Sequence, residues 1–110
     1  MRAVDYFSGK RIIITGGSSG IGLAFALRVA GLGAEPVLVA RRESVLDDAR
    51  QSILRRVPGA KVDTLAVDVA DQEQVERVVG TLMDERPADM LVNNAGVVMP
   101  GRFLELPSKE

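Results

Sequence analysis

A chain of 110 residues can build one small domain around one core. Its 46% hydrophobic and 26% charged residues exclude a disordered chain, and a net charge of -1 with mixed signs gives no electrostatic case for nucleic acid or an anionic membrane. Cysteine and histidine are both absent, which excludes disulfides and thiolate metal sites and removes the commonest neutral-pH acid–base group; no metal site is expected.

The first ten residues, Met1 to Lys10, hold no apolar stretch long enough for a signal peptide. No window approaches the roughly 20 apolar residues of a membrane-spanning helix, so a cytoplasmic protein is expected. Arg11-Ile12-Ile13-Ile14-Thr15 is a β-branched run ending in glycines and reads as a buried strand. From Ile21 to Leu32, apolar Leu23, Ala24, Ala26, Leu27 and Ala30 recur at helical spacing, with Gly33 as a stop signal. Pro36 to Ala40 is the second strand, its proline at the start where a missing amide donor is tolerated.

Val45, Leu46, Ala49 and Ile53 mark one face of a second helix that Pro58-Gly59 ends, and Lys61 to Val67 reads as a third strand. Val75, Val78, Val79, Leu82 and Met83 form the stripe of a third helix, capped by Asp71 with Gln74 at the capping-box position. Met90-Leu91-Val92 is a fourth strand opening into the loop Asn93-Asn94-Ala95-Gly96, and Pro107-Ser108 begins one more helix. Alternating strands and helices at this spacing imply an α/β fold: a doubly wound, Rossmann-type parallel sheet with helices on both faces. The expected strand order is 3-2-1-4, the N-terminal half of such a sheet. Residues 1–110 then read as a truncated half-domain whose fourth strand presents an unpaired apolar edge.

Thr15-Gly16-Gly17-Ser18-Ser19-Gly20-Ile21-Gly22 follows the first strand and opens the first predicted helix. Glycines permit a tight turn and let backbone amides approach a pyrophosphate, and a helix N-terminus adds free N–H groups and partial positive charge. An ordinary strand–helix connection is the bland alternative. A nucleotide-triphosphatase loop is disfavoured because no Gly-Lys-Ser/Thr closes the motif. At the end of the second strand an acid would read a ribose 2′-hydroxyl and a base would accommodate a 2′-phosphate. Ala40-Arg41-Arg42 stands there, with Glu43 only after it, so NADP is favoured over NAD.

With these pieces in place, the glycine turn resembles the TGxxxGxG signature of the short-chain dehydrogenase/reductase superfamily. Asn93-Asn94-Ala95-Gly96 resembles its NNAG signature, and Asp68-Val69 its Asp-hydrophobic pair after the third strand. The motifs stand in family order across nearly the whole chain. The resemblance implies that Gly16, Ser18, Ser19, Gly20, Ile21 and Gly22 surround the cofactor phosphates and that Arg41, with Arg42, holds the 2′-phosphate of NADPH. It also implies that Asp68 accepts from the adenine amino group and Val69 adds backbone and apolar contact. Asn94, Ala95 and Gly96 would line the ribose and nicotinamide, while Asn93 ties strands together.

Within the superfamily the wording is nearest the 3-ketodihydrosphingosine reductase type, over Ile14 to Gly22, Leu38 to Arg41, Val67 to Val69, Asp89 to Asn93 and Gly101 to Leu106. That implies hydride transfer to a small-molecule carbonyl, including a long-chain lipid ketone, in a protein that is a homo-oligomer when complete. The family's serine, tyrosine and lysine lie downstream of the NNAG loop, so no catalytic residue is expected in this chain. Tyr6 and Lys10 have the family's Tyr-x-x-x-Lys spacing, but they precede the first strand and Gly9 interrupts the intervening segment. A non-catalytic dinucleotide-binding or interaction module is the competing class. Another Rossmann-like adenosine binder, such as a methyltransferase domain, fits the NNAG loop and Arg41 less well.

Overall fold

The apolar runs assemble into one sheet of order β3-β2-β1-β4-β5 in a computed structural model that describes residues 2–18, 20–68, 70–93 and 96–98. In chain order the elements are α1 (Ala3–Phe7), β1 (Arg11–Thr15), α2 (Gly20–Gly31), β2 (Glu35–Ala40), α3 (Glu43–Arg56), β3 (Asp63–Ala66), α4 (Gln72–Glu85), β4 (Met90–Asn93) and β5 (Gly96–Val98). β1 pairs in parallel with β2 and with β4, and β2 with β3, which gives the expected 3-2-1-4 arrangement of parallel strands.

The central strand explains the two-sided core. Successive strand side chains point to opposite faces. Ile12 and Ile14 join Leu38 against Ala26 and Val29 of α2 and Leu46 and Ile53 of α3. Ile13, Val37 and Val39 face the other way, with Val75, Val78 and Leu82 of α4 packed on them. A fully buried side chain of this size contributes about 1.5–3 kcal/mol. Pro36 fits inside β2 for a register reason. The Glu35 N–H donates to Lys10 O on the β1 side, so the missing donor of the next residue falls on the β3 side. β3 begins only at Asp63, opposite Val37.

The elements depart from expectation in three places. β3 is shorter than 61–67 and largely exposed, because it is an edge strand with one neighbour; Val62 is buried outside the ladder. The short α1 has no apolar period to announce it. It is held from outside, Phe7 packing on the core and the Gly9 N–H donating to Gly33 O. The third departure corrects the expected open edge of the fourth strand. β5 lies antiparallel on β4 with Leu91 opposite Val98, Val92 opposite Val97 and Asn93 opposite Gly96. β5 begins at Gly96, three residues after Asn93, so the edge is paired by a segment close in sequence. The helix expected from Pro107 lies outside the described residues.

Asp71 caps α4 as its sequence suggests, its carboxylate accepting the Gln74 N–H at 3.1 Å. Asp71→Ala is expected to cost about 1 kcal/mol, measured as a shift of the urea unfolding midpoint at constant slope; an unchanged midpoint would refute a stabilising cap. Among the described residues no helix is long and apolar enough to cross a membrane.

Candidate functional site

The ends of three parallel strands lie side by side and are tied across. The Gly16 N–H, just past β1, donates to Val39 O of β2 at 2.8 Å. The Val67 N–H, just past β3, donates to Ala40 O at 2.7 Å. On the other flank the buried Thr15 hydroxyl donates to Val92 O of β4. This is the carboxyl edge of the sheet, where open α/β folds bind ligands. The glycine turn, Arg41 and Asp68 all emerge along it.

The turn is shaped by what glycine allows. Gly16 has φ +70°, a left-handed conformation that a Cβ makes costly. Gly22 serves a different need: a Cβ there would lie 2.8 Å from the Gly16 carbonyl carbon and closer still to its oxygen. α2 can therefore sit against the turn only with hydrogen at this position. Its first residue, Gly20 (φ +58°), begins the helix at the mouth of the turn. Ser18 is half-buried in the turn, and Ile21 is 81% exposed beside it. A glycine-lined helix start with free N–H groups fits a diphosphate.

Arg41 and Arg42 follow β2. Arg42 occupies the N-cap position of α3 and makes no side-chain cap hydrogen bond, so the first N–H groups of that helix have no cap acceptor from it. An exposed cation, a second arginine and a helix N-terminus thus converge, a combination suited to a phosphate. The Arg41 Nη2 stands 3.9 Å from Asp68 Oδ2. Asp68 itself is held firmly: its N–H donates to Gln74 Oε1 at 2.8 Å and its Oδ1 accepts the Ala70 N–H at 3.0 Å.

Gln74 is the site residue that sequence reasoning placed but misassigned. In a capping box its side chain would return to the Asp71 N–H. That N–H instead donates to Asp68 O, and the Gln74 side-chain oxygen reaches past Asp71 to accept the Asp68 N–H.

Of the other expected residues, Ser19, Val69, Asn94 and Ala95 lie outside the described residues. Gly96 is placed in β5 opposite Asn93, which corrects its expected position in an open loop after β4. Tyr6 and Lys10 do come together, the ammonium 5.4 Å from the ring centroid, but they sit before β1 and so at the far end of the sheet from the turn. A cavity of about 480 Å³ lined by Ala24, Leu27, Arg28 and Arg56 among others also shares no residue with the glycine turn, Arg41 or Asp68. Chemistry, not concavity, locates the candidate site.

The chain as a whole is similar to known proteins. The chain is 36% identical over 101 residues to the L-xylulose reductase of Homo sapiens, covering 92% of this chain and 38% of that protein. It is 42% identical over 102 residues to the 3-ketodihydrosphingosine reductase of Mus musculus, covering 89% of this chain and 31% of that protein. The crystal structure of L-sorbose reductase from Gluconobacter frateurii, complexed with NADPH and L-sorbose, superposes with a TM-score of 0.72 at 44% identity, over 93% of this chain and 39% of that one. The chain thus spans under half the length of these relatives. Residues 10–110 match the short chain dehydrogenase family, and the chain belongs to that family.

Proposed function

We propose that this chain is the NADP(H)-binding half of a short-chain oxidoreductase that reduces a carbonyl by hydride transfer. The observation that carries the reading is the pair Arg41 and Arg42 at the start of α3, on the sheet edge that also bears the glycine turn. The NADPH complex of L-sorbose reductase supports the same cofactor. In this reading Gly16, Ser18, Ser19, Gly20, Ile21 and Gly22 surround the phosphates, and Arg41 with Arg42 takes the 2′-phosphate. Asp68 and Val69 meet the adenine, and Asn94, Ala95 and Gly96 flank the ribose and nicotinamide. The cofactor, when bound, would supply the hydride; these residues of the chain would bind and orient it.

The acid–base chemistry belongs to the portion of the whole protein that the relatives have and these residues do not match. Tyr6 and Lys10, at the opposite end of β1, have no part in it. The substrate is a small-molecule ketone in a cytoplasmic enzyme that is a homo-oligomer when complete. A long-chain keto-sphingoid base is the finer reading, supported by the motif wording and by the mouse relative. A ketose is the second, favoured by the xylulose and sorbose reductases.

Arg41→Ala tests the cofactor assignment. Loss of a charged phosphate contact is worth about 1.5–3 kcal/mol, or about 10- to 150-fold. NADPH affinity, followed by isothermal titration, is expected to fall by that factor while NADH affinity changes less than about threefold. Equal losses for both would sink the assignment.

A further inference from the structure

The contact between Arg41 and Asp68 joins two residues to which the proposed site gives separate tasks. Their side chains differ in freedom: Arg41 is 76% exposed and Asp68 41%. Asp68 is anchored three ways, its N–H to Gln74, its carbonyl to the Asp71 N–H and its Oδ1 to the Ala70 N–H. Its remaining oxygen, Oδ2, is the one that faces Arg41, at 3.9 Å. That separation is too long for a hydrogen bond and short enough for a direct charge interaction. An anchored carboxylate therefore stands beside an exposed cation at the place where a 2′-phosphate would arrive.

We infer that Asp68 is a specificity-determining residue that tempers the preference for a 2′-phosphorylated cofactor by competing for the Arg41 guanidinium. The inference rests on the reading of Arg41 as the 2′-phosphate ligand. A phosphate must draw Arg41 out of the field of Asp68, whereas a 2′-hydroxyl leaves the pair undisturbed. Asp68 thereby narrows the gap between the phosphorylated and unphosphorylated dinucleotides without touching the phosphate.

The experiment measures the affinities of the chain for 2′,5′-ADP and 5′-AMP in the wild type, Asp68→Asn, Arg41→Ala and the double variant. Both probes carry the adenine, so any contact of residue 68 with the base cancels in their ratio. Asparagine also keeps an oxygen for the Ala70 N–H. Two charges about 4 Å apart in water interact by about 1 kcal/mol, so Asp68→Asn is expected to raise the preference for 2′,5′-ADP by up to about fivefold at low salt. In about 1 M salt, where the Debye length is about 3 Å, that gain should shrink. In the Arg41→Ala background Asp68→Asn should change the ratio by less than about twofold.

A ratio that is unchanged or lowered by Asp68→Asn overturns the inference, and so does an equal rise without Arg41. If Arg41→Ala collapses the wild-type ratio but Asp68→Asn does not raise it, only the role of Asp68 falls. If Arg41→Ala leaves the wild-type ratio intact, the assignment of Arg41 falls and this inference with it.

Discussion

Gly22→Ala is expected to destabilise the fold by about 2–3 kcal/mol, and to weaken dinucleotide binding severely in the fraction that stays folded. Propensity alone predicts the opposite, since alanine is favoured over glycine inside a helix by about 1 kcal/mol. The steric term wins because the new methyl would meet the Gly16 carbonyl, which is backbone and cannot rotate away. Either α2 shifts outward from β1 or the turn opens, and each outcome moves the helix N-terminus from the ends of β1 and β2. Gly80→Ala is the control. Gly80 lies in α4 with nothing within 4 Å of an added Cβ and no positive φ, so it should stabilise by about 0.4–1 kcal/mol. Urea unfolding of the two variants should shift in opposite directions. A Gly22→Ala chain as stable as wild type would show that the helix does not depend on this approach.

The second large effect is expected at the other end of the sheet, at Arg11. α4 ends without a basic residue in its last turn, yet helix C-termini leave carbonyls that need donors. β1 adds donors there: the buried Arg11 guanidinium donates through Nη1 to Leu82 O at 3.1 Å, which also accepts the Arg86 N–H, and to Arg86 O. The Arg11 backbone is fixed there too, its N–H donating to Asp89 Oδ2 at 2.8 Å. Glu35 and Arg86 form an ion pair beside it.

Arg11→Met keeps the stem and removes the donors. Two charge-assisted bonds to carbonyls contribute about 1.5–3 kcal/mol each. Against this, the Arg11 Nε is buried with no partner among the described residues, and its removal relieves about 1–3 kcal/mol. The balance is a loss of about 2 kcal/mol, measured by chemical denaturation, with dinucleotide affinity of the folded chain unchanged. A variant at least as stable as wild type would mean that the unpartnered Nε outweighs the two bonds.

These two residues also show how far the sequence could be read. The glycine turn is visible in the sequence because its constraint is local: strand, glycines and helix start are contiguous. The need for hydrogen at Gly22 is less visible, since it depends on how closely the helix backbone returns to the turn. β1, β2, α2 and α3 carry strong periodic patterns and fall within a few residues of their expected bounds. α1 and β5 do not, being short segments whose conformation is set by partners elsewhere. Arg11 reads as an ordinary strand residue because the carbonyls it satisfies lie some 71–75 positions away. The Arg41–Asp68 contact was hidden likewise, its members lying on neighbouring strand ends separated by a whole helix and strand. Local signals mark the candidate site; its couplings depend on the sheet.

The cross-ties at the carboxyl edge have a metrical consequence. The Gly16 N–H is bonded to β2 and the Val67 N–H to β2 from the other side, so the exits of β1, β2 and β3 cannot slide past one another without breaking those bonds. Adjacent strands lie about 4.8 Å apart, which sets the turn and Asp68 about two strand widths, or about 10 Å, apart with Arg41 between them. The site is therefore graduated like a ruler. On the proposed function, a ligand would be admitted by the interval between its anionic groups and its base, and changes of side chain would alter the marks while the spacing stays fixed by the backbone.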